Sequence, residues 1–267
     1  MKCKLSLIPL LFVFFAFIPS IAQTSQEEMQ LGVSAYKESH YEEAARHFTR
    51  AAELEPTNVN AQMYLATTYV SQYIPGVQSD ENKSLGDRAI AAYQKVLEMD
   101  ANAGQKVNSC KGIAYIYLIM KQWDDAAKHY QMASDLDPSD PEPYYSIGVI
   151  DWTRSYQPRM EARARLGMQP NENLDANKPN QKKICDELQA KNSTIIEDGI
   201  SRFERAIQLR PEYDDAMAYL NLMYRERADL ECEDLAERQR DLKSADEWVD
   251  KALGTKKAKA EKARVAQ

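Results

Sequence analysis

Residues 41–57 read YEEAARHFTRAAELEPT and residues 123–139 read WDDAAKHYQMASDLDPS. Asp replaces Glu and Tyr replaces Phe, while Ala, Leu and Pro hold their register. Ala44 and Ala126 are followed four residues on by Phe48 and Tyr130, which sets a small side chain and a ring on one helical face. Ala51 and Ala133 come three residues later, then Leu54 and Leu136, and each run stops at Pro56 or Pro138, which cannot continue a helix. Two further segments, DRAIAAYQKVLEMDA (87–101) and GISRFERAIQLRPE (199–212), keep the order as Ala89, Tyr93, Val96, Met99 and Gly199, Phe203, Ala206, Leu209.

Upstream of each run lies a second helical pattern: LGVSAY from Leu31, LATTYV from Leu65, IAYIYL from Ile113, IGVIDW from Ile147 and LNLMYR from Leu220. A large apolar residue is followed by Gly32, Ala66, Ala114, Gly148 or Asn221. Small residues let two antiparallel helices approach closely, and the ring from the partner helix fills the space beside them.

These residues carry a resemblance to the tetratricopeptide repeat, a helix-turn-helix unit of about 34 residues with a Leu-Gly pair and a Tyr in its first helix, then Ala, an aromatic, Ala and a terminal Pro. The resemblance implies an all-α, right-handed solenoid of about five repeats, at 25–57, 58–102, 105–139, 140–212 and 213–253. Units one and three match without interruption. Insertions at 70–80, 153–193 and 225–236 each fall between the two helices of a unit, so they are expected along one edge of the stack. Within 153–193 the sequence predicts two short helices, one around Arg159 to Leu166 and one over KKICDELQAK. Thr194 with Glu197 reads as a capping box that starts the second helix of unit four.

Nine glycines in 267 residues are too few for a turn-rich sheet protein, and 44% hydrophobic with 28% charged residues suits a globular helical chain. Residues 1–22 read as a secretory signal peptide: Lys2 and Lys4, an apolar run from Leu5 to Ile18, and small residues before Gln23. The formal charge is -7, and removal of Lys2 and Lys4 makes the remainder more acidic. Such a surface repels phosphate backbones, so no nucleic-acid partner is expected. Residues 255–267, rich in Lys, read as a basic, flexible tail.

No HExxH, GxSxG, Walker A or Gly-rich dinucleotide motif occurs, and neither an enzymatic reaction, a cofactor nor a metal is expected. His47 and His129 occupy equivalent places in units one and three, which reads as a shared solvated surface. The pairs Glu42-Glu43, Asp124-Asp125 and Asp214-Asp215 sit at helix starts, where carboxylates favour the helix dipole. Cys110 falls at a core position and reads as a covered, inert thiol.

In solenoids of the resembled family the first helices line a concave groove. By helical spacing this gives Met29, Val33 and Tyr36; Met63 and Thr67; Lys111, Tyr115 and Leu118; Tyr145, Val149 and Trp152; and Tyr219, Leu222 and Arg225. The Lys and Asn array with which some family members clamp a terminal carboxylate is missing, since Val33 and Thr67 stand at those places. The expected function is a protein- or peptide-binding scaffold acting in a periplasmic or extracellular space through this groove. The alternative is a structural subunit of an envelope or secretion assembly that uses the inserted edge. No membrane span is expected once the signal peptide is removed.

Cys185 and Cys232 lie in insertions of adjacent units, and an exported chain meets oxidising conditions, so these two are expected to pair. Closing the 46 residues between them would stabilise the fold by roughly 4 kcal/mol in the chain-entropy model. In denatured protein lacking residues 1–22, thiol titration should therefore count one group before reduction and three after; three before reduction would refute the pairing.

Overall fold

The computed structural model describes residues 24–169 and 172–265, and the expected signal peptide lies outside the described residues. Among the described residues ten helices form five hairpins: α1 (Ser25–Lys37) with α2 (Tyr41–Leu54), α3 (Val59–Gln72) with α4 (Asp80–Glu98), α5 (Ala103–Ile119) with α6 (Trp123–Leu136), α7 (Pro141–Arg165) with α8 (Pro179–Leu209), and α9 (Asp214–Leu230) with α10 (Leu235–Val265). Each helix packs on the next along the chain, and α3 also meets α5 while α7 meets α9. The first helices thus form one layer of a helical solenoid. No strand occurs among the described residues.

Local chemistry sets the boundaries. The first helices open on side-chain caps: Thr24 in a capping box with Glu27, Asn58 bonded to the Ala61 amide, Asn102 in a capping box with Gln105, and Asp140 bonded to the Glu142 amide. Each cap satisfies an amide that has no partner inside the helix. In units one and three the turn between helices is the same tight reversal. Ser39 (φ 64°) and Lys121 (φ 59°) adopt left-handed backbone, and the amides of His40 and Gln122 close on the carbonyls of Ala35 and Tyr117, both at 2.8 Å. The expected acidic pairs occupy the first turns of α2, α6 and α9.

The core follows the repeat. Ala44, Ala51, Ala89, Ala126, Ala133, Ala206, Phe48 and Phe203 are fully buried. A Cβ added to Gly32 would stand 2.6 Å from Phe48, and one added to Gly148 would stand 2.7 Å from Phe203. The same relation recurs between repeats, where a Cβ on Gly112 would stand 2.5 Å from Tyr93. Ring and missing side chain are one fitted contact.

The fourth hairpin departs from its expected form. The stretch 153–193 does not fold as separate short helices; α7 and α8 extend into it to 25 and 31 residues, and residues 166–169 and 172–178 belong to the connection. Pro158 sits inside α7 and cannot donate to the carbonyl of Arg154, yet the helix continues because Ser155, Ala162 and Arg163 are all buried on its inner face. Thr194 does not begin a helix either. The single helix α8 buries Cys185, Leu188, Asn192 and Ile196 in continuity with Phe203, which a break at Thr194 would forfeit. Asn192 Nδ2 donates to the Ser155 carbonyl at 3.1 Å, joining the two arms near the proline.

Residues 255–265 also differ from the flexible tail expected of 255–267. The helix α10 runs on to Val265, with Lys259 2.5 Å from Asp214 and Lys262 2.6 Å from Glu212 at the start of the preceding helix. Cys185 and Cys232 form a disulfide that ties α8 to the turn between α9 and α10. Cys110 is a free, fully buried thiol, and burial raises its pKa. Replacing Gly148 by Ala should lower the unfolding free energy by about 1–3 kcal/mol through overpacking against Phe203, read as a lower urea midpoint at constant slope, and Phe203→Leu in the same chain should recover part of the loss.

Candidate functional site

The expected groove residues do sit on the first helices, but most are woven into the core. Met29, Val33 and Tyr36 pack against the first core cluster, and the Tyr36 hydroxyl lies 2.8 Å from Ser71 Oγ. Met63 is half-buried, and Thr67 Oγ1 lies 3.1 Å from the Tyr93 hydroxyl. Lys111 reaches Asp140 at 3.0 Å and Glu142 at 2.5 Å; burial disfavours its charge, but these hydrogen bonds outweigh that and raise its pKa. Leu118 and Val149 are half-buried. Tyr115 is 47% exposed and is the one aromatic of the expected set that stands open to solvent.

Towards the C-terminal half the rings converge. Tyr145 meets Phe203 at 6.0 Å, Tyr213 at 4.9 Å and Tyr219 at 5.8 Å; Trp152 meets Tyr219 edge-on at 5.4 Å and stacks on Tyr156 at 5.0 Å. Such offset and edge-on pairs are the preferred arrangements of aromatic quadrupoles. Burial raises the Tyr145 hydroxyl pKa and pushes that of Tyr213 up to about 12.

Beside this cluster lies a cleft of about 290 Å³, whose lining includes Trp152, Tyr156, Leu222 and Leu242 along with Arg159, Arg225, Glu226, Asp229, Arg238 and Asn173. Trp152, Leu222 and Arg225 belong to the expected groove. The remaining polar residues come from the extended part of α7, from the connection after it and from the ends of α9 and α10. Arg159 bridges Glu226 at 2.8 Å and also pairs with Asp229; Asp229 in turn pairs with Arg163 at 3.2 Å and accepts from Arg238 at 3.4 Å. Arg163 Nε donates to the Glu172 carbonyl at 2.9 Å, and Arg238 bonds Asn173. Together with buried Leu174 these contacts seat the connection between α7 and α8 against the body.

Burial dominates the electrostatics. It pushes the Glu226 carboxyl up to about 7 against the attraction of Arg159, and lowers the pKa of Arg163. Asp151, buried in α7 with Arg202 3.7 Å away, is likewise pushed up to about 7 by burial. The neighbouring pair Arg227 and Asp241 shows the opposite balance: hydrogen bonds to Asp241, 2.6 Å away, raise the arginine's pKa further.

The histidines are not a shared solvated surface. His47 Nδ1 lies 2.7 Å from Glu28, which is 4% exposed on α1. His129 stacks on Tyr117 at 5.6 Å, and burial lowers its pKa. Both face the first helix of their own unit, where a flat amphipathic ring fills the gap left between the rods. Among the described residues no group of His, Cys, Asp and Glu could hold a metal ion, and no helix is long and apolar enough to cross a membrane.

Family models for repeats of this kind match residues 29–58, described as tetratricopeptide repeat, and residues 114–152, described as TPR repeat. The chain carries tetratricopeptide repeats. Among solved structures, this repeat protein is similar to MamA 41-end from Desulfovibrio magneticus RS-1, with a TM-score of 0.54 at 16% identity, over 88% of this chain and 96% of that one. It is also similar to YrrB, described as a TPR protein with an unusual peptide-binding site, with a TM-score of 0.50 at 14% identity, over 87% and 92% of the two chains. No curated protein matches the sequence. At such identities the likeness shows the fold alone.

Since the folded-state pKa values of Glu226 and Asp151, about 7, lie above their ordinary values of 4.5 and 3.8, the unfolded chain releases these protons first as pH rises. Their contribution to stability is complete below the ordinary values and disappears as pH rises through about 7. Urea denaturation should show the unfolding free energy falling between about pH 4 and pH 7. Glu226→Gln should make that fall shallower.

Proposed function

We propose that this repeat protein binds a protein or extended peptide segment on its concave layer, in a periplasmic or extracellular space, without catalysing a reaction. A rigid stack of hairpins offers surface, and its repeats are those of a protein-interaction scaffold. The observation that carries the groove assignment is Tyr115, a large ring held on α5 with 47% exposure, while the aromatics around it are anchored in the core. Fixed aromatic side chains are the usual anchors of interfaces because they bury large area at small entropic cost. Export is supported by the N-terminal pattern of Lys2, Lys4 and the apolar run that follows, and by the disulfide.

A second reading, assembly into an envelope or secretion structure through the inserted edge, is favoured by one feature. The turn Ile74–Val77 leaves Ile74 60% and Val77 44% exposed. It is not slack: buried Asn82 accepts from the Ile74 amide at 2.8 Å and donates to the carbonyls of Ile74 and Val77 at 2.9 and 3.0 Å. Two aliphatic side chains are thereby held in water by a preformed support.

Crosslinking in intact cells with mass spectrometry of the captured proteins separates the two. Tyr115→Ala, at a residue outside the buried core clusters, should leave helicity unchanged and weaken capture by about tenfold or more. Unchanged capture by Tyr115→Ala, with capture lost instead in Ile74→Ser/Val77→Ser, would overturn the groove reading in favour of the edge.

A further inference from the structure

We infer that the cleft beside Trp152 is a subsite for a single carboxylate carried next to an apolar group, an inference that rests on the groove reading above and names its ligand chemistry. The chain as a whole is acidic, with a formal charge of -7, yet this cleft is locally cationic. Among its lining residues Arg159, Arg225 and Arg238 outnumber Glu226 and Asp229 by one charge, while Asp246, outside the lining, stands 2.7 Å from Arg225. Such a lining suits a monoanion and disfavours a dianion, which the neighbouring Asp229 carboxylate would repel.

The donors needed are present. Arg238 is only 7% exposed and uses Nη2 for Asn173 and Asp229, so its Nε and Nη1 have no partner among the described residues. Arg225 uses Nε for Asn221 at 3.3 Å and Nη2 for Asp246, which leaves Nη1 free in the same sense. Planar guanidinium groups suit carboxylate geometry, and the low-dielectric wall of Trp152, Tyr156, Leu222 and Leu242 strengthens such bonds while receiving the apolar neighbour. Trp152 Nε1 is buried without a partner and reports on the cleft. None of these donors belongs to the terminal-carboxylate array of the resembled family; they come from the extended fourth hairpin and the ends of α9 and α10.

The carboxylate could end a chain or belong to an acidic side chain. Titrations of the full protein with N-acetyl-phenylalanine, N-acetyl-aspartyl-phenylalanine amide and neutral N-acetyl-phenylalanine amide, read on the Trp152 indole N–H resonance, distinguish the two. At least one acid should bind about tenfold more tightly than the neutral amide. Arg225→Gln, whose side chain is 42% exposed and outside the core, should erase that preference while helicity stays unchanged. Equal binding of all three probes, no response to either acid up to about 10 mM, or a preference that survives Arg225→Gln would each overturn the inference. Should it fall while Tyr115→Ala still loses its captured partners, the groove reading stands without this subsite.

Discussion

Everything in this chain depends on pairs of helices approaching closely enough for a ring on one to occupy the space of a missing side chain on the other. Gly32 faces Phe48, Gly112 faces Tyr93 and Gly148 faces Phe203, each with room for a hydrogen and no room for a methyl group. The contact fixes both the distance between two rods and their register. Because it operates within repeats and between them, each hairpin is oriented by its neighbour, and the layer of first helices becomes a continuous surface. Tyr115 and the cleft beside Trp152 lie on that layer, or at its margin, for this reason.

The fourth unit shows the same constraint extended by different chemistry. Where its helices outrun the repeat, the interior is no longer only alanines and rings: Ser155, Asn192, Arg163, Glu226 and Asp241 are all nearly fully buried. Buried charges of this sort gain little over a packed apolar core, but removing one partner strands the other. The guanidinium groups also grip the connection after α7 through the Glu172 carbonyl and Asn173. The polar interior and the seating of residues 172–174 are therefore aspects of one network, and the cleft is the part of that network left open to solvent.

Much of the fold was legible because its signals are local. Ala44 and Phe48 lie four residues apart, and their spacing recurs in other units with turn-forming residues to bound it. The fourth hairpin was not legible for the opposite reason. Pro158 and the Thr194/Glu197 pair are local signals for breaks, and both are overridden by burial along a helix face. Arg159 finds Glu226 67 positions away, and Arg238 finds Asn173 65 away, distances at which no periodicity operates. His47 misled in a similar way: its equivalence to His129 was visible, whereas Glu28, the carboxylate that draws it inward, lies on the facing helix.

Lengthening the fourth unit changes the kind of object that a stack of hairpins can be. Added units make such a protein longer and continue its curve, whereas added turns within one unit grow it sideways. At 1.5 Å per residue, the 31 residues of α8 measure about 46 Å and the 14 of α6 about 21 Å. The excess is a fin transverse to the axis of stacking, braced along its length at Cys185 by a covalent staple to the following unit. Such a fin adds a wall to one flank of the stack.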